Sequence, residues 1–189
     1  MNNLIKKYEW ISFARAYLSI AKIGIQELEY QRYADSVDKN SFEYSISYRN
    51  KYLIIPIIWN LKHAIELILK SLGIYEDLKG KNGHNYFVIL NEILKKENIK
   101  YTEIEITNLA KIAVKYYKGE FLNKELFKEN SIITDSRNDI FRYPASHFYS
   151  LELQNLKDIS DFTEINNDIQ KLEFLLNEID SRIRQNNQK

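Results

Sequence analysis

The chain has 189 residues, a formal net charge of +1 and no cysteine, which excludes a disulfide framework, a thiol nucleophile and a cysteine-ligated metal. A hydrophobic content of 44% supports a single globular domain over residues 1–189, and only five glycines and two prolines exclude collagen-like and low-complexity designs. With three histidines in the whole chain, we expect no metal site and no cofactor.

Helical periodicity dominates the first half of the chain. A long amphipathic helix is predicted over residues 4–30, and the Ser- and Asn-rich stretch 35–47 is interpreted as a loop. A second helix is predicted over residues 54–72, where Pro56 either begins or kinks the helix and Gly73 ends it. The apolar face of the first helix is formed by Leu4, Tyr8, Ile11, Ala14, Leu18, Ala21, Ile25 and Leu28.

Two further helices are expected in the middle of the chain. The first covers residues 85–97, after a charged loop at 75–83. The next covers residues 102–118, where Thr102 and Glu105 form a capping box. The helix at 85–97 carries Phe87, Leu90, Ile93 and Leu94 on one face, and the helix at 102–118 ends at Gly119.

The last helix has the clearest apolar face. It is predicted over residues 161–184, whereas residues 120–135 fit either a short helix or a brief strand. The sequence therefore predicts an all-α fold, an antiparallel bundle of about five to six helices. The face of the last helix consists of Ile165, Ile169, Leu172, Leu176, Ile179 and Ile183.

Membrane insertion and broad nucleic-acid binding are both disfavoured. The most apolar stretch, residues 52–72, contains several charged side chains, whereas a bilayer span needs about 20 residues almost free of them. No continuous apolar export signal follows the N-terminus. Lysine is in excess over residues 51–100 and acid over residues 151–189, without the strongly basic surface typical of nucleic-acid-binding domains. We expect a soluble, cytoplasmic protein without a membrane partner, and any nucleic-acid contact to be small and focused.

Two motifs go beyond a generic helical bundle. The first consists of residues 60–72, NLKHAIELILKSL, followed by residues 83–90, GHNYFVIL. The second consists of residues 137–147, RNDIFRYPASH, in which four residues separate Arg142 from His147. Together they resemble HEPN domains, the higher-eukaryote and prokaryote nucleotide-binding family, in which many ribonucleases carry Arg, four to six residues and then His.

The resemblance implies an α-helical domain that forms a homodimer and brings two Arg/His motifs into one cleft. Active members of that family are metal-independent endoribonucleases of toxin–antitoxin and phage-defence systems, so the implied partners are an RNA substrate and an antitoxin or other protein. Arg142 and His147 would be the catalytic pair. Arg137, Asn138, Glu66 and His63 would bind substrate or orient that pair.

The chemistry of these residue types fits RNA cleavage. Attack by the 2′-hydroxyl of RNA requires a proton to be moved, which a histidine with a pKa of about 6.5 does near neutral pH. It also places charge on phosphorus, which a forked arginine stabilises. Residues five apart on an unbroken helix diverge, so Pro144 is needed to interrupt the helix between Arg142 and His147. Since DNA lacks the 2′-hydroxyl, this mechanism predicts selectivity for RNA.

Several residues have a structural alternative. Arg142 is followed by Tyr143, where active HEPN members usually carry a polar residue, and would otherwise be an ordinary ion-pairing residue. Glu66 and His63, which share a helix face, would otherwise form a hydrogen bond at the surface or within the bundle. A second hypothesis is therefore a catalytically inactive HEPN-like module that binds a protein partner or a nucleotide.

The aromatic and acidic residues also allow two interpretations. Tyr116 and Tyr117 would either stack on bases or fill the edge of the core with wet hydroxyls. The acidic residues of the last helix would form a solvated face, or would repel nucleic acid or bind a partner.

Overall fold

The computed structural model describes residues 3–37, 42–75, 103–117 and 162–186. These ranges form four α-helices and contain no β-strand. In chain order the helices are α1 (Asn3–Val37), α2 (Phe42–Tyr75), α3 (Glu103–Tyr117) and α4 (Thr163–Asn186). The all-helical prediction is confirmed for these residues. The helix predicted over residues 85–97 and the ambiguous segment 120–135 lie outside them.

Helix α2 is the centre of the described bundle and packs against each of the other three helices. The side chains of Arg15 and Lys22 on α1 contact Asp180 and Glu173 on α4, respectively, so that sequence numbers rise along one helix and fall along the other. Helices α1 and α4 are therefore antiparallel. An α1–α2 contact joins Gly24 to Ile57, and Tyr17 lies against the later residue His63, which shows that this pair is antiparallel as well.

The apolar faces predicted from periodicity form the core. On α4 all six predicted face residues are buried, and on α1 so are the six from Ile11 to Leu28. Each large aliphatic side chain that leaves water on folding contributes about 1.5–3 kcal/mol, so the periodic faces determine which side of each helix points inwards. The α2 residues that complete the centre include Ile54, Ile58, Leu61, Ile65, Ile68 and Leu69.

The predicted loop at residues 35–47 is mostly wrong. Helix α1 continues to Val37 and α2 begins at Phe42. Serine and asparagine lower helix propensity by less than about 1 kcal/mol each, and extending an existing helix is far less costly than nucleating one. The polar composition of this stretch therefore did not stop two helices that are anchored elsewhere by packing.

Pro56 lies in the interior of α2, so the alternative in which it begins the helix is wrong. A proline in this position removes one backbone hydrogen bond, at a cost of about 3 kcal/mol. Its ring is exposed, and its carbonyl oxygen accepts a hydrogen bond from the Asn60 side-chain amide at 2.6 Å. The helix ends at Tyr75, slightly beyond Gly73, which is a shift common at helix ends.

None of the helices in the described ranges combines the length and the apolar composition required to cross a bilayer.

Candidate functional site on the second helix

The central part of α2 carries buried polar residues among its aliphatic ones. Asn60, Lys62, Glu66 and Ser71 are all less than a tenth exposed. Ser71 Oγ donates a hydrogen bond to the carbonyl oxygen of Ile68 at 2.8 Å. The Asn60 side-chain amide likewise donates a hydrogen bond to the backbone carbonyl oxygen of Pro56 on the same helix. These two residues therefore have a local structural role. Lys62 and Glu66 are different, because burying a charge costs several kcal/mol unless it is paired.

Glu66 is a buried carboxylate between two cationic or potentially cationic groups. Its side chain is 2% exposed, and its Oε1 atom accepts a hydrogen bond from Lys70 Nζ at 2.5 Å. Its Oε2 atom lies 3.8 Å from His63 Nδ1, which is too long for a hydrogen bond but close enough for electrostatic attraction when the imidazole is protonated. The three residues occupy successive turns of one face of α2.

His63 is fixed by aromatic side chains from two helices. Its ring stacks on Trp59, with centroids 5.3 Å apart and an interplanar angle of 10°. The Tyr17 ring of α1 meets it edge-on at 4.5 Å. The His63 side chain remains 27% exposed, so the imidazole is both oriented and accessible to solvent.

Lys62 joins α2 to α3 through the ring of Tyr117. Lys62 is fully buried, with its Nζ atom 4.7 Å from the Tyr117 ring centroid, a distance typical of a cation–π contact. The Tyr117 hydroxyl donates a hydrogen bond to the Lys62 carbonyl oxygen at 3.1 Å. The sequence interpretation missed Lys62. The signal was its spacing from Ile58 and Leu69, which places it on a buried face of α2.

A second polar cluster joins α3 to α4. The Asp168 carboxylate contacts the ammonium group of Lys115, and its Oδ2 atom accepts a hydrogen bond from the Tyr116 hydroxyl at 3.1 Å. Lys115 also lies 2.5 Å from Glu164 Oε1. Burial, followed by the negative charge of Asp168, raises the pKa of Tyr116 well above its usual value.

Two structural expectations are corrected by these contacts. Tyr116 and Tyr117 are fully buried, so they are not available to stack on bases, and their hydroxyls are bonded inside the protein rather than wet. The acidic residues of α4 do not form a purely solvated face. Asp168 and Asp180 are buried, and together with Glu173 they bind cations of α1 and α3.

The described ranges contain two of the six predicted site residues. Glu66 and His63 are brought together on α2 in the geometry given above. Arg142, His147, Arg137 and Asn138 lie outside the described residues, so the predicted Arg/His pair stays a prediction. Within the described ranges, no group of three or more His, Asp or Glu side chains is arranged to hold a metal ion.

Comparison with the models of known protein families, with curated proteins and with solved structures found no match to this chain.

Proposed function

We propose that the chain is a metal-independent endoribonuclease of the HEPN type that acts as a homodimer in a bacterial phage-defence or toxin–antitoxin setting. The observation that carries the proposal is Glu66, a buried carboxylate beside Lys70 and a half-buried His63. It lies within the α2 segment whose sequence resembles that family. The proposal includes the HEPN-like fold, with five to six helices in the whole chain.

The chemistry is assigned to the second motif. Arg142 binds the scissile phosphate through its forked guanidinium group and stabilises the charge that develops on phosphorus. His147 moves the proton between the 2′-hydroxyl and the leaving oxygen as the general acid and base. The phosphate bond to the 5′-oxygen breaks as the bond to the 2′-oxygen forms, which leaves a 2′,3′-cyclic phosphate. Arg137 and Asn138 contribute to substrate binding.

Glu66 is a positioning residue in this proposal. Buried charge is costly, and replacing a buried ion pair by apolar side chains is often neutral or stabilising, so stability alone is a weak reason for a buried carboxylate at Glu66. A carboxylate accepts several hydrogen bonds at once, so the contact with Lys70 is compatible with a further bond from an arginine. Glu66 would orient Arg142, and His63 would stabilise the negative charge of Glu66 at its second oxygen.

A second candidate function is favoured by Tyr143, which occupies the position after Arg142 where active family members usually carry a polar residue. In that case the chain is a catalytically inactive module that binds a protein partner or a nucleotide. The same dimer would then serve for binding alone.

Cleavage of mixed tRNA and mRNA by the purified protein in EDTA tests the proposal. We expect cleavage with 2′,3′-cyclic phosphate ends, and a loss of at least about a hundredfold in rate for both Arg142→Ala and His147→Ala. No cleavage by a stoichiometric amount of confirmed dimer would overturn the ribonuclease and favour the binding module.

The positioning role of Glu66 requires a separate readout. Glu66→Gln keeps the side-chain volume and removes the charge, and we expect kcat to fall about tenfold to a hundredfold with little change in KM, because misplaced catalytic groups lose rate rather than binding. Glu173→Gln is the matched control, since it makes the same change in the ion pair with Lys22 on the α1–α4 contact. Equal kcat values for both variants would show that Glu66 does not position the catalytic residues.

A further inference from the structure

Helix α1 carries a second apolar surface on the side away from the core. Five large apolar side chains in the described ranges are more than half exposed, and four of them lie on α1. At 100° per residue these four fall within about 100° of one another and nearly opposite the buried face of the helix. They are Phe13 (58% exposed), Ile20 (52%), Ile23 (65%) and Tyr30 (68%).

The spacing along this surface is that of a helix-pairing seam. We define the α1 stripe as the exposed residues Phe13, Ala16, Ile20, Ile23, Glu27 and Tyr30. They are separated by alternating steps of three and four residues, which is the a/d spacing by which one helix packs against another in a coiled coil. The rest of α1 does not need this pattern, because its packing against α2 and α4 uses the opposite face.

We propose that the α1 stripe is the surface through which two copies of this chain pair, with their α1 helices antiparallel across a two-fold axis. The positions of the stripe are spaced symmetrically about the midpoint between Ala21 and Lys22. A two-fold axis at that point places Phe13 against the partner subunit's Tyr30, Ile20 against the partner subunit's Ile23 and Ala16 against the partner subunit's Glu27. Such a self-complementary patch is what a two-fold homodimer requires.

The acidic residue in the stripe determines the direction of pairing. In a parallel pair Glu27 would meet its own copy in the same layer, and two like charges would repel. In the antiparallel pair each Glu27 lies over the small side chain of Ala16, and the two carboxylates are separated by about 16 Å along the axis. The antiparallel arrangement therefore keeps the two Glu27 carboxylates apart, whereas the parallel one would bring them together.

Two cationic residues of α1 form ion pairs within one subunit. Arg15 and Lys22 are directed towards α4, where they bind Asp180 and Glu173. In the antiparallel register, the residues flanking the stripe are uncharged, with Ser19 opposite the partner subunit's Gln26 and Tyr17 opposite the partner subunit's Gly24. Apart from Glu27, the seam thus has an apolar centre, and its edge is polar and uncharged, which is the composition expected of a protein interface.

The exposed area is sufficient for a modest interface. Aromatic side chains bury about 200 Å² each, so Phe13 and Tyr30 at their observed exposures offer roughly 250 Å² per subunit. The two isoleucines, the flanking residues and the second copy bring the total to about the 1,000 Å² that a specific interface needs. A patch of this size is comparable to the largest apolar patch of a typical monomer, and such patches often have a function.

This inference rests on the homodimer of the proposed function and names the surface that forms it. It also relates that surface to the candidate site, because Tyr17 borders the stripe and contacts both His63 and Trp59 on α2. One aromatic side chain would therefore connect the seam to His63, the neighbour of Glu66.

Cysteine cross-linking tests the register, because the natural chain has no cysteine. Ala16→Cys and Glu27→Cys leave the four large apolar side chains of the stripe in place. When the two variants are co-expressed, a short bis-maleimide should link Ala16→Cys to Glu27→Cys in the same layer. Neither variant alone should link to itself, because its own copy is about 16 Å away along the axis. Lys111→Cys on the exposed side of α3 is the unlinked control.

A substitution in the stripe tests the surface itself. Ile23→Asp should convert the dimer into a monomer by sedimentation at equal concentration, with unchanged helical circular dichroism, because Ile23 makes little contribution to the core. Phe174→Asp is the matched control, since Phe174 on α4 is 66% exposed but lies outside the stripe. The Phe174→Asp variant should remain a dimer.

The outcomes separate this inference from the proposed function. Self-linking of Ala16→Cys, or a dimer that survives Ile23→Asp but not Phe174→Asp, would overturn the α1 seam and leave the homodimer in place. A monomeric natural chain at high concentration would overturn both the seam and the homodimer. Cleavage of RNA by that monomer, measured in the same preparation, would show whether the ribonuclease proposal survives without pairing.

Discussion

Tyr116 shows how a residue near the end of a helix becomes part of the core. Its ring is fully buried, its hydroxyl donates to Asp168 on α4, and the ammonium group of Lys115 lies 5.5 Å from its ring centroid. Burial first, and then the negative charge of Asp168, disfavours the phenolate and raises the pKa of Tyr116 well above its usual value. The contact between α3 and α4 at this point therefore requires that Tyr116 keep its proton.

This raised pKa predicts a loss of stability at alkaline pH. In the unfolded chain Tyr116 titrates near pH 10, whereas in the folded protein it keeps its proton at that pH. The unfolded state then binds fewer protons than the folded state, so the free energy of unfolding falls as pH rises above about 10. Below pH 10 the two states bind the same number of protons at this site, and the effect is absent.

Tyr116→Phe removes that titration. Urea unfolding between pH 8 and pH 11 should give a less steep decline of stability above about pH 10 in the variant than in the natural protein. At pH 8 the variant should be less stable by about 1–3 kcal/mol, because the Asp168 carboxylate loses a hydrogen bond inside the protein. Identical slopes in the two proteins would show that Tyr116 does not control the alkaline transition.

The role of Tyr116 was not predictable from local sequence. A tyrosine at helical spacing has the same pattern whether it stacks on a ligand or fills the core, and the partner that decides between these roles, Asp168, is far away in sequence. For Glu66 and His63 the situation differs. Their separation of three residues places them on one face of a helix, so their proximity follows from helix geometry once α2 is recognised.

The contact between α3 and α4 depends on a buried acid, whereas the contact between α1 and α4 includes a partly exposed one. The side chain of Asp168 is 6% exposed and contacts both Lys115 and Tyr116. Glu173 is about a third exposed and contacts Lys22. Burial makes the loss of one partner costly, while solvent screens the exposed pair.

Asp168→Asn should therefore be far more destabilising than Glu173→Gln. We expect about 2–3 kcal/mol for the first, because Lys115 and Tyr116 lose a charged acceptor in a dry environment. For the second we expect less than about 1 kcal/mol, and a dependence on salt. Both are acid-to-amide changes on the same helix, and urea unfolding measures them under identical conditions. Equal losses would contradict the dominant role of burial.

Helices α1 and α2 approach each other closely at Gly24. A Cβ atom at this position would lie 2.5 Å from Cγ1 of Ile57, a buried side chain. Alanine is favoured over glycine in a helix by about 1 kcal/mol, but overpacking a core costs about 1–3 kcal/mol. At Gly24 we expect the cost of overpacking to exceed the gain in helix propensity, because Ile57 is enclosed by the core.

We expect Gly24→Ala to lower the midpoint of thermal unfolding despite its higher helix propensity. Ile57→Ala removes the clashing atoms but leaves a cavity, so it is destabilising by itself. The double variant should lose less stability than the sum of the two single variants, because each change relieves the effect of the other. Additive losses would show that Gly24 and Ile57 are not in steric contact.

The elements were predictable to the extent that their apolar faces are periodic. The buried faces of α1 and α4 match the sequence pattern because each face packs against one side of the bundle. The positions at which the helices begin and end were less predictable than their buried faces. Residues 35–37 and 42–47 are helical although their composition is polar, because a helix anchored elsewhere is extended at little cost per residue. The polar residues of α4 were misjudged because ion-pair partners are supplied by other helices.

At the scale of the whole molecule, α1 has two apolar surfaces with different roles. Its inner face packs against α2 and α4 and is part of the core. The α1 stripe lies on the other side, and in the proposed dimer it would join two bundles without disturbing either. Stability would then have an intramolecular part, shared by all variants, and an intermolecular part that depends on protein concentration.

That separation predicts how thermal unfolding responds to concentration. If folding and pairing are coupled, a hundredfold increase in protein concentration raises the midpoint of unfolding by about 3–5 °C for a chain of this length. The natural protein and Phe174→Asp should both show this rise. Ile23→Asp should show none, because its folded state is a monomer. A concentration-dependent midpoint that persists in Ile23→Asp would assign the pairing to another surface, while a constant midpoint in the natural protein would exclude coupled pairing altogether.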